Sequence, residues 1–140
     1  MNSDRWRAAL RWLLAFAYGA AGYLHLVHPA PFLAITPPWV VRPELVVAAT
    51  GVAELAGAIG LIIPQTRKAA GWGLALYALC VWPANFHHAL ARIAIGSETL
   101  GWWYHGPRLA LQPVIIWWAL WASGAVDWPF RRDRIAYPPP

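Results

Sequence analysis

Four apolar stretches, each about twenty residues long, fill most of a 140-residue chain, with prolines or basic residues breaking it between them. A helix of that length crosses the ~30 Å hydrocarbon core of a bilayer. The stretches cover approximately 8–27, 44–63, 69–90 and 107–126. Pro43 suits the first turn of the second helix and Pro64 ends it. Arg67 and Lys68 precede the third, and Asp127 with Pro129 stops the fourth. Pro83 and Pro113 fall inside spans, where membrane helices take up a proline as a kink. Composition points the same way. Hydrophobic residues make up 59% and charged residues only 12% of the chain, whereas a soluble domain carries roughly 25% charge. A sphere this small cannot hide so much apolar surface from water. The expected fold class is therefore all-α: one integral membrane domain over residues 1–140, an antiparallel four-transmembrane-helix bundle with a cytoplasmic tail over 127–140. These numbers speak against a soluble enzyme, a disordered chain or two domains.

The formal net charge is +5, but its placement argues against nucleic-acid binding. The cations form short clusters beside apolar runs: Arg5, Arg7 and Arg11; Arg67 and Lys68; Arg131, Arg132 and Arg134. Such clusters set topology and meet anionic lipid heads. Eight of the eleven Lys and Arg residues fall on one side, with Arg42, Arg92 and Arg108 on the other. The positive-inside rule then puts both termini and the middle loop in the cytoplasm. The apolar run continues past Ala15-Phe16-Ala17 to Val27, so a retained span is expected there and not a cleaved signal peptide. Of the eleven tryptophans, Trp39, Trp102 and Trp103 suit the outer interface and Trp6, Trp12 and Trp128 the inner one. Trp117, Trp118 and Trp121 lie deeper. Cys80 is the only cysteine, which rules out an internal disulfide or a CxxC pair; it is expected to be a small buried hydrophobe. Small residues such as Gly19, Gly22, Gly51, Gly57, Gly60, Gly71 and Gly73 allow helix backbones to approach closely.

The residues that carry chemistry are the polar ones within the spans. Glu54 lies ten residues into the second span, about 15 Å down the helix. A bare carboxylate at that depth costs at least ~2.5 kcal/mol, so it is expected to face the interior, be protonated or have a partner. Thr50, Glu54 and Ala58 share one face. His25 lies toward the outward end of the first span with Tyr18 two turns below it, Asn85 and His88 share a face of the third, and His105 and Gln112 begin the fourth. All five histidines fall in the outward half. Glu54, His25, Asn85, His88, Tyr18 and Gln112 are therefore the candidate ligand- or proton-handling residues, with Glu54 expected a turn or more below the histidines. His25, His88 and His105 are the weaker candidates for a metal. Their spacing is loose and no HExxH occurs, so interfacial hydrogen bonding is preferred, and metal or haem is not expected.

Three segments in order, AGYLHLVHPAPFLAITPPW at 21–39, TGVAELAGAIGLIIPQTRKAAGWG at 50–73 and VWPANFHHAL at 81–90, give the chain a family likeness. It resembles the DoxX-like family of small four-helix bacterial membrane proteins over about residues 13–120. By that match His25, Glu54, Pro83, Ala84 and Asn85 carry the signature. The resemblance implies an inner-membrane bundle whose relatives include components of a thiosulfate:quinone oxidoreductase and accessory factors of redox or oxidative-stress complexes. The cysteine pairs of redox-active relatives are absent, which excludes dithiol chemistry here. Since no complete catalytic set is legible, the chain is expected to be an accessory or scaffolding subunit that binds a partner or a lipophilic molecule such as a quinone. The alternatives are a quinone-linked oxidoreductase component using His25, His88 and Glu54, and a proton or small-solute transporter. Expected partners are the lipid bilayer and another membrane or redox protein; an oligomer is left open.

Overall fold

The computed structural model describes residues 3–129 and is all-helical, with no strand among those residues. Four long helices, α1 (Ser3–Val27), α3 (Pro43–Ile62), α4 (Arg67–Leu90) and α5 (Trp102–Ser123), are joined by loops and one short helix, α2 (Ala30–Ile35). Arg131, Arg132, Arg134 and the tail over 130–140 lie outside the described residues.

Local sequence accounts for most of the boundaries. Pro29 follows the end of α1 and starts α2. The Thr36 hydroxyl donates to the Phe32 carbonyl at 2.8 Å and closes the last turn of α2. Pro43 occupies the first helical position of α3, where its missing N–H costs nothing. Pro64 pushes Ile63 to an extended backbone, which ends that helix. α1 begins at Ser3, five residues before the expected start near residue 8, and both ends of α5 also depart from expectation. α5 begins at Trp102, five residues early, because Gly101 offers an extended N-cap. It also stops at Gly124 instead of running to Val126. Gly124 adopts φ +76°, its N–H bonds to the Leu120 and Trp121 carbonyls, and the Ala125 N–H returns to Leu120. A left-handed glycine cap ends the helix before Asp127 is reached. Arg67 and Lys68, expected before their helix, form its first turn, and Arg67 donates to the Leu61 and Ile62 carbonyls to cap α3 from outside.

The long helices close a ring in which α1 packs on α3, α3 on α4, α4 on α5 and α5 on α1. Each neighbouring pair is antiparallel, as the facing residues show: Gly22 against Glu54 and Gly51 against His25, Gly57 against Leu74 and Gly60 against Ala70, Gly71 against Ser123 and Asn85 against Gln112. An apolar core of Leu14, Ala15, Tyr18, Ala58, Leu61, Leu74, Ala75 and Ala119 fills one half of the ring. At that end Arg7 pairs with Asp127 at 2.9 Å and lies over the Trp121 ring, while Arg11 reaches the Ala122 carbonyl at 3.3 Å. These cations, read from sequence as topology signals, also tie α1 to α5.

Burial is distributed unusually. Glu54, Asn85, His88, His105 and Gln112 are buried, while Phe16, Val52, Ile59, Leu76 and Leu111 are exposed on the outer helix faces. The six tryptophans assigned to interfaces are all exposed, and Trp121 is buried. Cys80 is exposed, contrary to expectation. Two residues on from buried Ala78, it is turned about 200° around α4 and away from the core. By length and composition α3 is the one helix among the described residues that qualifies as a membrane span. α1 and α4 begin with cations, and α4 and α5 carry histidines, amides and tryptophans that dilute their apolar character.

The glycines separate by environment. A Cβ on Gly51 would meet the His25 Cβ at 2.8 Å and the Gly22 carbonyl at 3.0 Å, whereas one on Gly73 meets nothing within 4 Å. Gly51→Ala is expected to destabilise the protein by about 1–3 kcal/mol, read as a lower Tm in detergent. Gly73→Ala is expected to leave Tm unchanged or raise it, by helix propensity. Equal shifts for the two variants would contradict this packing.

Candidate functional site

Opposite the apolar core, the other half of the ring opens into a cavity of about 720 Å³ lined by α1, α2, α3, α4 and α5. Its wall is mainly apolar, with a few polar groups: Tyr18, His25, Glu54, Tyr77, Asn85, Arg108 and Gln112. Five of the six candidates named from sequence therefore converge on one space. His88 is the exception.

Glu54 is only 4% exposed, and its Oε2 lies 2.9 Å from His25 Nδ1. The expected gap of a turn or more is closed by direct contact. The reason is side-chain direction: Cα–Cβ bonds tilt toward a helix's N-terminus, so on antiparallel helices His25 and Glu54 lean along the axis toward each other. His25 Nδ1 is also 2.9 Å from the Ala21 carbonyl, one turn back on its own helix. The ring proton is aligned with that carbonyl, and Glu54 Oε2 is left buried without an aligned hydrogen bond among the described residues. Tyr77 lines the same cavity wall as the Glu54 carboxyl. The outer face of the imidazole stacks on Phe32 of α2, with ring centres 3.7 Å apart. Short α2 thus roofs the pair, and Thr50 lines the cavity beside it.

Across the cavity, Asn85 Nδ2 donates to Gln112 Oε1 at 3.4 Å, and Gln112 Nε2 donates to the Ala78 carbonyl. Pro83, within α4, removes the N–H that would bond the Leu79 carbonyl, one residue on. The Gln112 amide therefore ties α5 to α4 next to that gap.

His88 is fully buried behind the cavity wall. Its Nε2 lies 3.1 Å from the Ile93 carbonyl and its Nδ1 3.0 Å from Arg108 Nη1. A guanidinium only donates, so Nδ1 accepts and Nε2–H donates. Both ring nitrogens are committed, and His88 serves to hold Arg108. The proposed grouping of His88 with His25 and Glu54 is not what the structure assembles. The histidines divide: His25 faces Glu54, His88 and His105 pack edge to face with ring centres 4.6 Å apart, His87 meets Trp39, and His28 is exposed. Among the described residues no three His, Cys, Asp or Glu side chains converge as metal ligands.

Sequence reasoning missed Arg108, counted only as an outward loop charge, and also Tyr77 and Phe32. Helical spacing held a clue to the first: His105, Arg108 and Gln112 stand three and four residues apart, on one face of α5. That clue depended on starting α5 early enough.

Residues 14–123 match the family described as a domain of unknown function, DUF8561. The chain belongs to that family. No curated protein and no solved structure matches it.

The Asn85–Gln112–Ala78 chain predicts a specific energetic pattern. Gln112→Leu leaves the Asn85 amide without its partner and takes the side-chain bond from the Ala78 carbonyl, and is expected to cost about 1–3 kcal/mol. The double variant Asn85→Leu/Gln112→Leu is expected to cost less than the sum of the single ones. Denaturant unfolding of the four proteins measures the coupling, and strict additivity would argue that the two amides act independently.

Proposed function

We propose that this chain is a DoxX-like, four-span protein of a bacterial inner membrane, with both termini cytoplasmic. In this reading it holds a lipophilic small molecule in its outward cavity, as an accessory component of a membrane redox or stress-response complex. The observation that carries the reading is the cavity itself. Its wall is apolar, its polar groups are few and convergent, and the His25–Glu54 contact lies within it. Such a space suits a molecule with an apolar body and a polar head.

Two further observations support the membrane setting. Large apolar side chains cover the outer faces of the helices while Glu54, Asn85, His88 and Gln112 face inward. That is the inverse of a water-soluble helical protein, and intramembrane ionisable residues turn toward a protein interior or cavity. Exposed tryptophans also stand near both ends of the helices: Trp6, Trp12 and Trp128 at one, Trp39, Trp102 and Trp103 at the other. Reporter fusions at both termini and within residues 63–66 are expected to report the cytoplasm, and fusions within 36–42 and 93–100 the opposite side. A terminus found outside would overturn the orientation.

Protein purified in native lipid discs is expected to carry a lipophile that organic extraction and mass spectrometry detect. Glu54→Gln and His25→Ala are each expected to reduce it severalfold against total lipid. A bare protein with neither ligand nor partner would sink the proposal. The His25–Glu54 contact also favours a second reading, proton handling in quinone chemistry. In that case quinone reduction by the native complex would fall at least tenfold in Glu54→Gln, and an unchanged rate would remove it.

A further inference from the structure

Arg108 has no role in the reading above, and its setting is specific. The guanidinium lines the cavity, is gripped at Nη1 by His88 and lies 5.6 Å from the centre of the Tyr104 ring. His88 is itself fixed by the Ile93 carbonyl. Three elements, α4, the following loop and α5, therefore hold one cation in place. What it lacks is a counter-ion. No carboxylate forms an ion pair with Arg108 among the described residues. The one carboxylate on the cavity wall, Glu54, is engaged by His25 instead.

A half-buried guanidinium beside an apolar wall is costly unless a negative group answers it. With Nη1 committed to His88, no other hydrogen bond to the guanidinium forms among the described residues, so its remaining N–H groups are left to engage an oxyanion. The rest of the cavity wall is largely apolar and aromatic, including Trp118, Ile115 and Val81. It offers a hydrocarbon chain a place that a free inorganic anion does not need.

We propose that the occupant of the cavity is an anionic amphiphile, with a carboxylate- or phosphate-type head on Arg108 and an apolar tail along the cavity wall. His88 is the positioning residue for that head. The inference rests on the lipophile-binding reading and narrows it to a charge class.

The test uses the intact purified protein in discs of zwitterionic lipid, with cis-parinaric acid and its methyl ester as probes. Trp118 and Trp39 line the cavity, so energy transfer from tryptophan reports occupancy. The acid is expected to bind at least tenfold tighter than the ester. Arg108→Gln and His88→Leu are each expected to shrink that preference below threefold while ester binding persists, and Arg108→Lys to keep part of it. Should a variant fail to fold, the acid-to-ester ratio of the unaltered protein decides alone. Equal binding of acid and ester overturns the charge assignment but leaves the lipophile reading standing. Binding of neither sinks both. Dodecyl phosphate and laurate are expected to displace the acid, their order identifying the head, whereas millimolar inorganic phosphate is not. Displacement by phosphate alone would make Arg108 a free-anion site and overturn the amphiphile.

Discussion

Where α1 crosses α3, Gly22 and Gly51 bring the backbones so close that a Cβ on either would press on the other's carbonyl oxygen. This approach works in both directions. The space at Gly22 is taken by Glu54 and that at Gly51 by His25, so each glycine makes room for the ionisable residue of the opposite helix. Larger side chains would push the axes apart, and the 2.9 Å contact between His25 and Glu54 would open. In an apolar surrounding, where dispersion and not water drives helix association, such small-residue contacts also hold the pair of helices together. The polar half of the structure therefore depends on two residues with no side chain.

The ring has a division of labour along its length. Leucine and alanine close one end with tight apolar packing, while the other end is propped open by α2 and by polar contacts between helices. Pro83 removes one backbone hydrogen bond of α4 beside the cavity, and the Gln112 amide bonds the adjacent Ala78 carbonyl from α5. His88 performs an analogous service for Arg108, since an imidazole that accepts at one nitrogen and donates at the other can bridge a loop carbonyl to a cation.

Much of this arrangement was legible in the sequence. Runs of apolar residues punctuated by Pro29, Pro43 and Pro64 located three of the four long helices to within a few residues at most ends. Depth alone marked Glu54, and antiparallel threading put Asn85 and Gln112 in the same half of the bundle. What the sequence could not reveal depended on three-dimensional direction. The lean of His25 toward Glu54 follows from antiparallel geometry, which a linear depth count ignores. His88 was indistinguishable from a pocket residue until its two nitrogens were seen to be occupied. Arg108 was hidden by a boundary error, because a fourth helix begun at Pro107 leaves it in the first turn, beside a loop, and not on an established face. Cys80 illustrates the same limit, since apolar surroundings in sequence do not say which way a helical side chain points.

The tie between Arg7 and Asp127 has a consequence for the order in which the molecule is completed. Arg7 is 6% exposed, and the carboxylate that answers it lies 120 residues later in the chain. During synthesis the first helix emerges well before Asp127, so this ion pair waits for the last helix. Only when α5 has formed and Gly124 has turned the chain does Asp127 reach Arg7, with Trp121 beneath the guanidinium. The ion pair thus closes only after α5 is in place, and a chain truncated before it would retain the cavity residues and the Arg11–Ala122 contact yet lose this one link between its first and last helices.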